Sequence, residues 1–537
     1  MKQREEWNSR IGFILAAVGS AVGLGNIWRF PYQLYNNRGG LFLIPYFFAL
    51  LTAGIPILIL EFGIGHKFRG AAPTVFARIS KVKKGKKSWE ALGWFQTLIS
   101  FGISTYYSVI VGWIIGYFFL AIFSSPTSGW GSNTAAFFNN FLGATGEHID
   151  LIHFNSWIPL LSLFVWLFIF IVENSGIKKG IEKASKFFMP ILIFLLFFIT
   201  LFAVSLKGSG SGLNHLFYPD FSNLTLKEFI SICIAAYGQI FYSLSVCFAI
   251  MICYSSYLPK KSDIVNNAFI TGLLDCAFSL LSAIMVFSIL GNMAYQNGVT
   301  IDKVATQGVG LAFITIPNAL NAMTAPWGQI IGPLFFLSLF FAGISSAISV
   351  VETTIIAFMD KFHLSRLKVT TFITIIGFTI SLLFCSRLGV EALSVTDSFI
   401  NNVGILLSGI IEIILLAWFF DVRSIQEHVN LYSDFKARGW WRFFITFVAP
   451  ISLIVLVAFN LISTIHSKYN LFKEVASNYF SNLNKTQTLL TIFFGYFVII
   501  LIATLSKILE VKKGSEAHNS IDLIHKGSSE NLGEQNE

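Results

Sequence analysis

Gly19-Ser-Ala-Val-Gly-Leu-Gly-Asn-Ile-Trp-Arg-Phe-Pro31 sets three glycines, an asparagine and an arginine inside what otherwise reads as the first membrane-spanning helix. Lipid offers no water to loose N–H and C=O groups, so each unpaired one costs on the order of several kcal/mol unless protein or a bound ligand satisfies it. A helix broken at mid-membrane therefore predicts a polar guest at the break.

The remainder of the chain supports a membrane setting. Of 537 residues, 55% are hydrophobic and 12% charged, and the mean hydropathy is +0.70; a soluble domain carries roughly 25% charge. Apolar stretches able to cross a core of about 30 Å recur at 11–34, 41–64, 91–122, 157–173, 187–206, 230–254, 264–291, 329–358, 367–385, 394–419, 442–464 and 488–508, twelve spans. A further piece, 309–324, is too short and too interrupted by Pro317, Asn318 and Asn321 to cross, and reads as a re-entrant or surface hairpin.

Lys2, Arg4, Arg10, Lys67, Arg69, Arg78, the run Lys81 to Lys87, Lys178 to Lys186, Lys260, Lys361 and Arg438 fall on one side, while the loop at 123–156 has neither Lys nor Arg. The positive-inside rule puts both termini in the cytoplasm. The basic run reads as a topology signal with attraction to the leaflet, so the pI of about 9.1 needs no nucleic acid. The first apolar run is too long for a cleaved signal and stays in the mature protein. Cys233, Cys247, Cys253, Cys276 and Cys385 lie within or at the ends of spans, so neither disulfides nor a metal cluster is expected. The polar tail at 511–537 reads as disordered and cytoplasmic.

Ionisable residues inside spans are functional candidates, because a centred charge costs roughly 2.5 to 3.5 kcal/mol. Here they are Arg29, Glu61, Asp275, Glu352 and Asp397. Glu61 suits a structural role, accepting from the exposed backbone of the broken first helix. Asp275 sits in Thr271-Gly-Leu-Leu-Asp-Cys-Ala-Phe-Ser279, on one helical face with Ser279. A second polar interruption, Tyr237 to Ser245, falls in the sixth span and a polar cluster, Phe341 to Ser346, in the eighth. Breaks in the first and sixth spans point to a five-plus-five inverted-repeat transporter.

The run at 19–31, with Gly39-Gly-x-Phe-x-Ile-Pro-Tyr46, Gly54-Ile-Pro-x-x-x-x-Glu61, Tyr106-Tyr107, Gly238-Gln-Ile-Phe-Tyr-Ser-Leu-Ser245, Phe341-Ala-Gly-Ile-Ser-Ser346 and Asp397, resembles the neurotransmitter:sodium symporter family across the first ten helices. The resemblance implies an all-α polytopic membrane protein with twelve transmembrane helices, a LeuT-type inverted-repeat core and broken helices 1 and 6. Its parts would be a cytoplasmic segment 1–10, repeats at 11–206 and 230–419, two peripheral helices within 442–508 and the tail 511–537.

It also implies a sodium-coupled importer of an amino acid. By resemblance, the Leu24 and Gly25 amides and the Tyr107 hydroxyl grip the substrate carboxylate, as a helix N-terminus suits an anion. Carbonyls of Ala21, Tyr242 and Ser243 and the Ser245 hydroxyl meet the ammonium. Ser20, Ile103, Tyr242, Ser245, Phe248, Ser346 and Val350 surround the side chain; with no charge among them, and with Gly23 where monoamine carriers place an aspartate, they favour a neutral, hydrophobic or aromatic amino acid.

Two sodium sites are implied, one from Ala21, Asn26, Ser243, Asp275 and the substrate carboxylate, the other from Gly19, Val22, Ala342, Ser345 and Ser346, all oxygen donors. Chloride-dependent relatives bind the anion at positions matching Tyr46, Gln239, Ser243 and Ser279. Here Asp275 brings a negative charge to that place, giving chloride-independent transport; the rival is that chloride binds and Asp275 is protonated. Arg29 and Asp397 resemble the outer gate above a lid of Tyr107 and Tyr242, and Arg4, Trp7, Ser256, Tyr257 and Asp360 the inner gate. Tyr242 replaces the usual phenylalanine, and its hydroxyl either alters the lid or contacts substrate.

A sensor or accessory protein of the same fold is the alternative. A channel should show a continuous polar pore, and an enzyme would need a nucleophile with a base or a metal set, whereas His66 stands isolated in the sequence. The cysteine-free outer loop fits a bacterial plasma-membrane protein rather than the usual animal subtypes.

Overall fold

The computed structural model describes residues 5–82, 89–123, 129–143, 157–301, 309–323, 326–386, 389–459 and 497–510. Arg4, the basic run at 83–87, most of the loop 123–156 and the tail 511–537 lie outside them. Among the described residues nine helices are long and apolar enough to cross a membrane, and the pair Arg10–Ala21 and Gly25–Asn36, bent by 53° at its break, makes a tenth. That pair is the first span. The second to fifth are Gly40–Phe68, Glu90–Phe123, Trp157–Asn174 and Ile177–Ser205; the seventh to eleventh are Ile264–Asn297, Trp327–Phe362, Arg366–Phe384, Ala392–Phe419 and Gly439–Phe459.

The sixth span is two pieces, Leu226–Ser243 and Ile250–Ser255, and 497–510 is helical where the twelfth is expected. Leu311–Ala322 is a short apolar helix, below crossing length at 1.5 Å per residue. The fifth span starts ten residues before the expected 187. Lys178, Lys179 and Lys183 depress hydropathy there, but all three are exposed at the helix end, where long cationic side chains reach water.

The third and eighth spans pack along each other, and the first half-helix, Arg10–Ala21, lies against the fifth, seventh and eighth. The break therefore sits inside the bundle. The eleventh span has only 28% of its apolar window buried, which places it at the rim of the bundle.

At the end carrying the N-terminus, side chains distant in sequence form a closed layer. The Trp7 amide donates to the Tyr257 carbonyl at 3.0 Å, and its indole N–H to the Tyr254 carbonyl at 2.8 Å. The Tyr257 hydroxyl donates to Glu352 at 2.7 Å, and Arg366 bridges buried Glu352 and Glu173, reaching the latter at 3.0 Å. Asp360 accepts from the Ala71 amide at 2.8 Å, and the Ser256 carbonyl accepts from Arg69 at 3.3 Å. Glu182 accepts from the Asn8 amide and the Ser9 hydroxyl.

His66 is not isolated. Its Nε2 donates to the Pro259 carbonyl at 2.9 Å, so its Nδ1 accepts from Nε2 of His428, also at 2.9 Å. His428 lies on the short helix Val422–Asn430 outside the spans. Burial, helped by His66, Lys67 and Arg69, pushes it down to about 3.

Removing Arg366 leaves two buried carboxylates without their cation, a change that costs roughly 3–5 kcal/mol. Arg366→Gln is expected to lower the melting temperature of the detergent-purified protein markedly, with partial recovery in Arg366→Gln/Glu173→Gln. For His428 the folded state binds its proton only near pH 3, whereas the unfolded chain binds it below about 6.5. Stability is thus full above about pH 6.5 and declines as pH falls toward 3. Melting from about pH 7 to about pH 5 should show a smaller decline in His428→Gln than in the unmutated protein.

Candidate functional site

The two breaks face each other. In the sixth span Ser245, Cys247 and Ala249 adopt φ of 53°, 70° and 74°, a left-handed conformation that side chains other than glycine adopt at a cost. The stretch is held by its neighbours: Glu61 accepts from the Cys247 amide, Ser408 donates to the Cys247 carbonyl at 2.7 Å, and Ser100 donates to the Phe248 carbonyl. Glu61 was expected to serve the first span's break. It serves the sixth instead, because Cys247 rather than a residue of 19–31 presents an unpaired N–H to it.

The first span's break is served otherwise. Asn26 Oδ1 accepts from the Gly23 amide at 3.1 Å, and the Tyr107 hydroxyl accepts from the Leu24 amide at 3.3 Å. Ser245 donates to the Ser20 carbonyl at 3.0 Å, joining the two breaks directly.

Between them lies a cavity of about 60 Å³. Its walls include Ser20, Ala21, Leu24, Gly25, Ile103, Tyr107, Tyr242, Ser243, Ser245, Phe248, Ser346 and Val350, so every residue expected to touch substrate lines one space. Gly23, Asn26, Tyr106, Asn401 and Ile405 line it as well. Tyr106, Asn401 and Ile405 were missed; the Tyr106-Tyr107 pair signalled the first, while nothing local marks the other two. Gly25 must lack a side chain, since a Cβ there would stand 2.3 Å from Cε1 of Tyr242.

Beside the cavity, Asn26 donates through Nδ2 to Asp275 at 2.7 Å and to Ser279 at 2.8 Å, and Ser243 donates to Asp275 at 2.9 Å. All four are buried. This network ties both breaks to the seventh span. Tyr46 lies within interaction distance of Ser279 and Asp275; its hydroxyl and the Gln239 side-chain amide have no hydrogen-bond partner among the described residues.

A second oxygen cluster joins the first and eighth spans. Ser346 Oγ lies 3.2 Å from the Gly19 carbonyl and 3.3 Å from that of Ala342, and Ser345 Oγ 3.1 Å from the Ala342 carbonyl. Val22 follows directly on the first half-helix as its C-cap.

Above the cavity the expected Arg29–Asp397 ion pair is absent among the described residues. The Arg29 guanidinium lies 3.9 Å from the centroid of the Tyr242 ring, and Asp397 accepts from Tyr106 and Asn401, both at 2.8 Å. An aromatic face within about 6 Å attracts a guanidinium, and two neutral donors satisfy the acid. Below the cavity, Trp7, Ser256, Tyr257 and Asp360 all belong to the closed layer, whose Glu173, Glu352 and Arg366 the sequence reading did not assign to it.

The description "Sodium:neurotransmitter symporter family" matches over residues 4–142 and 131–510. An uncharacterized sodium-dependent transporter of Methanocaldococcus jannaschii is 41% identical over 472 residues, covering 88% of this chain and 93% of its own. A sodium-dependent dopamine transporter of Caenorhabditis elegans is 28% identical over 513 residues, covering 86% and 81%. Among solved structures, MhsT in complex with L-phenylalanine superposes with a TM-score of 0.71 at 30% identity, covering 84% of this chain and 99% of that one. The chain belongs to the sodium:neurotransmitter symporter family, a family of membrane transporters rather than enzymes.

Proposed function

We propose that this family member is a sodium-coupled importer of a neutral, hydrophobic or aromatic amino acid. It works by alternating access across the plasma membrane, with both termini cytoplasmic and without a need for chloride. The observation that carries the reading is the cavity between the two breaks. There a half-helix N-terminus and the Tyr107 hydroxyl suit a carboxylate, while carbonyls and hydroxyls of Ala21, Tyr242, Ser243 and Ser245 suit an ammonium. The rest of its wall is apolar at Ile103, Phe248, Val350 and Ile405 and neutral at Ser20, Asn26, Tyr106, Ser346 and Asn401, so no ionised lining side chain pairs with a charged substrate side chain. MhsT, with bound L-phenylalanine, supports an aromatic or hydrophobic substrate.

Sodium is co-transported. Ala21, Asn26, Ser243 and Asp275 form one site with the substrate carboxylate, and Gly19, Val22, Ala342, Ser345 and Ser346 the other; oxygen-only donor sets are what a hard cation takes. Sharing a cation with the carboxylate makes ion and substrate binding mutually favourable, a coupling that is reciprocal.

Asp275 stands in for chloride on this reading, its charge held by Asn26 and Ser243. The rival, chloride bound with Asp275 protonated, draws on the unpartnered Tyr46 hydroxyl and Gln239 amide.

In proteoliposomes an inward sodium gradient should drive accumulation of at least one labelled hydrophobic or aromatic amino acid, at the same rate when gluconate replaces chloride. Asp275→Asn should lose most uptake without chloride and regain part of it with chloride. Uptake of none of the twenty amino acids would overturn the transport reading; strict chloride dependence of the unmutated protein would overturn the role given to Asp275. Ligand at 100 times its dissociation constant adds about 2.7 kcal/mol, so melting curves with and without sodium test binding independently.

A further inference from the structure

We propose that the groove between the end of the tenth span and the start of the eleventh binds the phosphate-bearing headgroup of an anionic phospholipid from the adjoining leaflet. The tenth span ends at Phe419 and the eleventh begins at Gly439, both at the face the charge bias assigns to the cytoplasm. Between them is a groove of about 440 Å³ whose lining includes Arg423, Arg442, Asp421, Phe443, Thr446 and Phe447. The Trp418 indole N–H donates to the Thr446 carbonyl at 2.9 Å, fixing one wall to the other.

The two guanidiniums distinguish this groove. Arg10, Arg38, Arg69 and Arg366 each face a carboxylate. Arg29 rests on the Tyr242 ring, Arg78 donates to the Phe68 and Arg69 carbonyls, and Arg438 is exposed outside the groove. Arg423 and Arg442 form no side-chain hydrogen bond or ion pair among the described residues. Asp421, the acid in the same groove, is engaged as a helix cap, accepting from the Arg423 amide at 3.0 Å, and leaves these three side chains with a net positive charge. Guanidinium forks match phosphate oxygens in pairs, and basic pockets between helix ends at the cytoplasmic face attract anionic headgroups.

The surroundings favour a lipid over free phosphate. Trp418, Phe419, Phe443 and Phe447 are each more than half exposed, beside a span whose apolar surface is mostly unburied. They form an aromatic, lipid-facing flank at the level where such side chains mark the bilayer interface. A ligand with acyl chains gains apolar contact there that inorganic phosphate lacks.

Native mass spectrometry of the full chain in neutral detergent tests this with phosphatidylglycerol and phosphatidylcholine of identical acyl chains. Each arginine near the surface is worth about 1 kcal/mol toward an anionic lipid, and Asp421 offsets one. The unmutated protein should therefore prefer phosphatidylglycerol by about fivefold or more. The preference is expected to vanish or invert in R423Q/R442Q, where Asp421 is left as the groove's charge, and to fall toward parity in Thr446→Phe, which narrows the groove and keeps both arginines. Inorganic phosphate should not displace the lipid. Equal binding of both lipids to the unmutated protein, a preference that survives both variants, or displacement by inorganic phosphate would each overturn the proposal.

Discussion

Backbone released at two points inside the membrane has to be paired by protein, and the arrangement of the core spans follows from that demand. The second span brings Glu61, the third Ser100 and Tyr107, the tenth Ser408, each to a particular N–H or C=O at a break. Losing one would leave a buried polar group unpaired, at roughly 1–3 kcal/mol. The left-handed φ at Ser245, Cys247 and Ala249 adds strain on the order of 1–3 kcal/mol per residue, which persists only where the surroundings over-determine it. The sixth span is thus unwound by its neighbours as much as by its own sequence.

The same side chains connect the breaks to each other. Asn26 uses its carbonyl oxygen within the first span and its amide across to Asp275 and Ser279 of the seventh, while Ser243 of the sixth meets Asp275 from the other side. A change at either break is therefore felt at one carboxylate. On the proposed reading, a cation among these oxygens and a zwitterion touching both breaks bind to one mechanical unit. Differential contact with its two arrangements is what coupling requires.

The breaks were legible in the sequence because polar and small residues stand out against an apolar run, and most spans because hydropathy is a local property. The fifth span shows the limit of that signal: three lysines at one end hid ten residues of helix whose backbone is continuous. Partnerships across long separations were not legible. Glu61 and Cys247 are 186 residues apart, and His66 and His428 are 362 apart; neither residue's type says which polar group it will meet. Arg29 illustrates the same gap. Its charge marked it as functional, but an acid and an aromatic ring compete for a guanidinium, and the geometry that places the Tyr242 ring 3.9 Å away is a tertiary property. The cavity residues came from resemblance, and what hydropathy alone would have offered was two breaks without walls.

The two sides of the cavity are closed by different physics, and on the proposed reading, which makes one side outer and the other inner, this bears on how access alternates. On the outer side Arg29 rests on an aromatic face and Asp397 is held by neutral donors, so the two charges have separate partners and each can be released without orphaning the other. On the inner side Trp7, Tyr257, Glu352, Arg366 and Glu173 form one chain of bonds around buried charge. Opening there exposes several charged groups together, which is tolerable only if water enters as the layer parts, because a buried carboxylate left without its cation is the costly state. In the proposed cycle the inner layer would therefore open as a unit. The first half-helix, tied to it through Trp7 and through the Glu182 contacts with Asn8 and Ser9, would move with it in that cycle, carrying Gly19 and Ser20 away from Ser346 and so dismantling the second oxygen cluster in the same step.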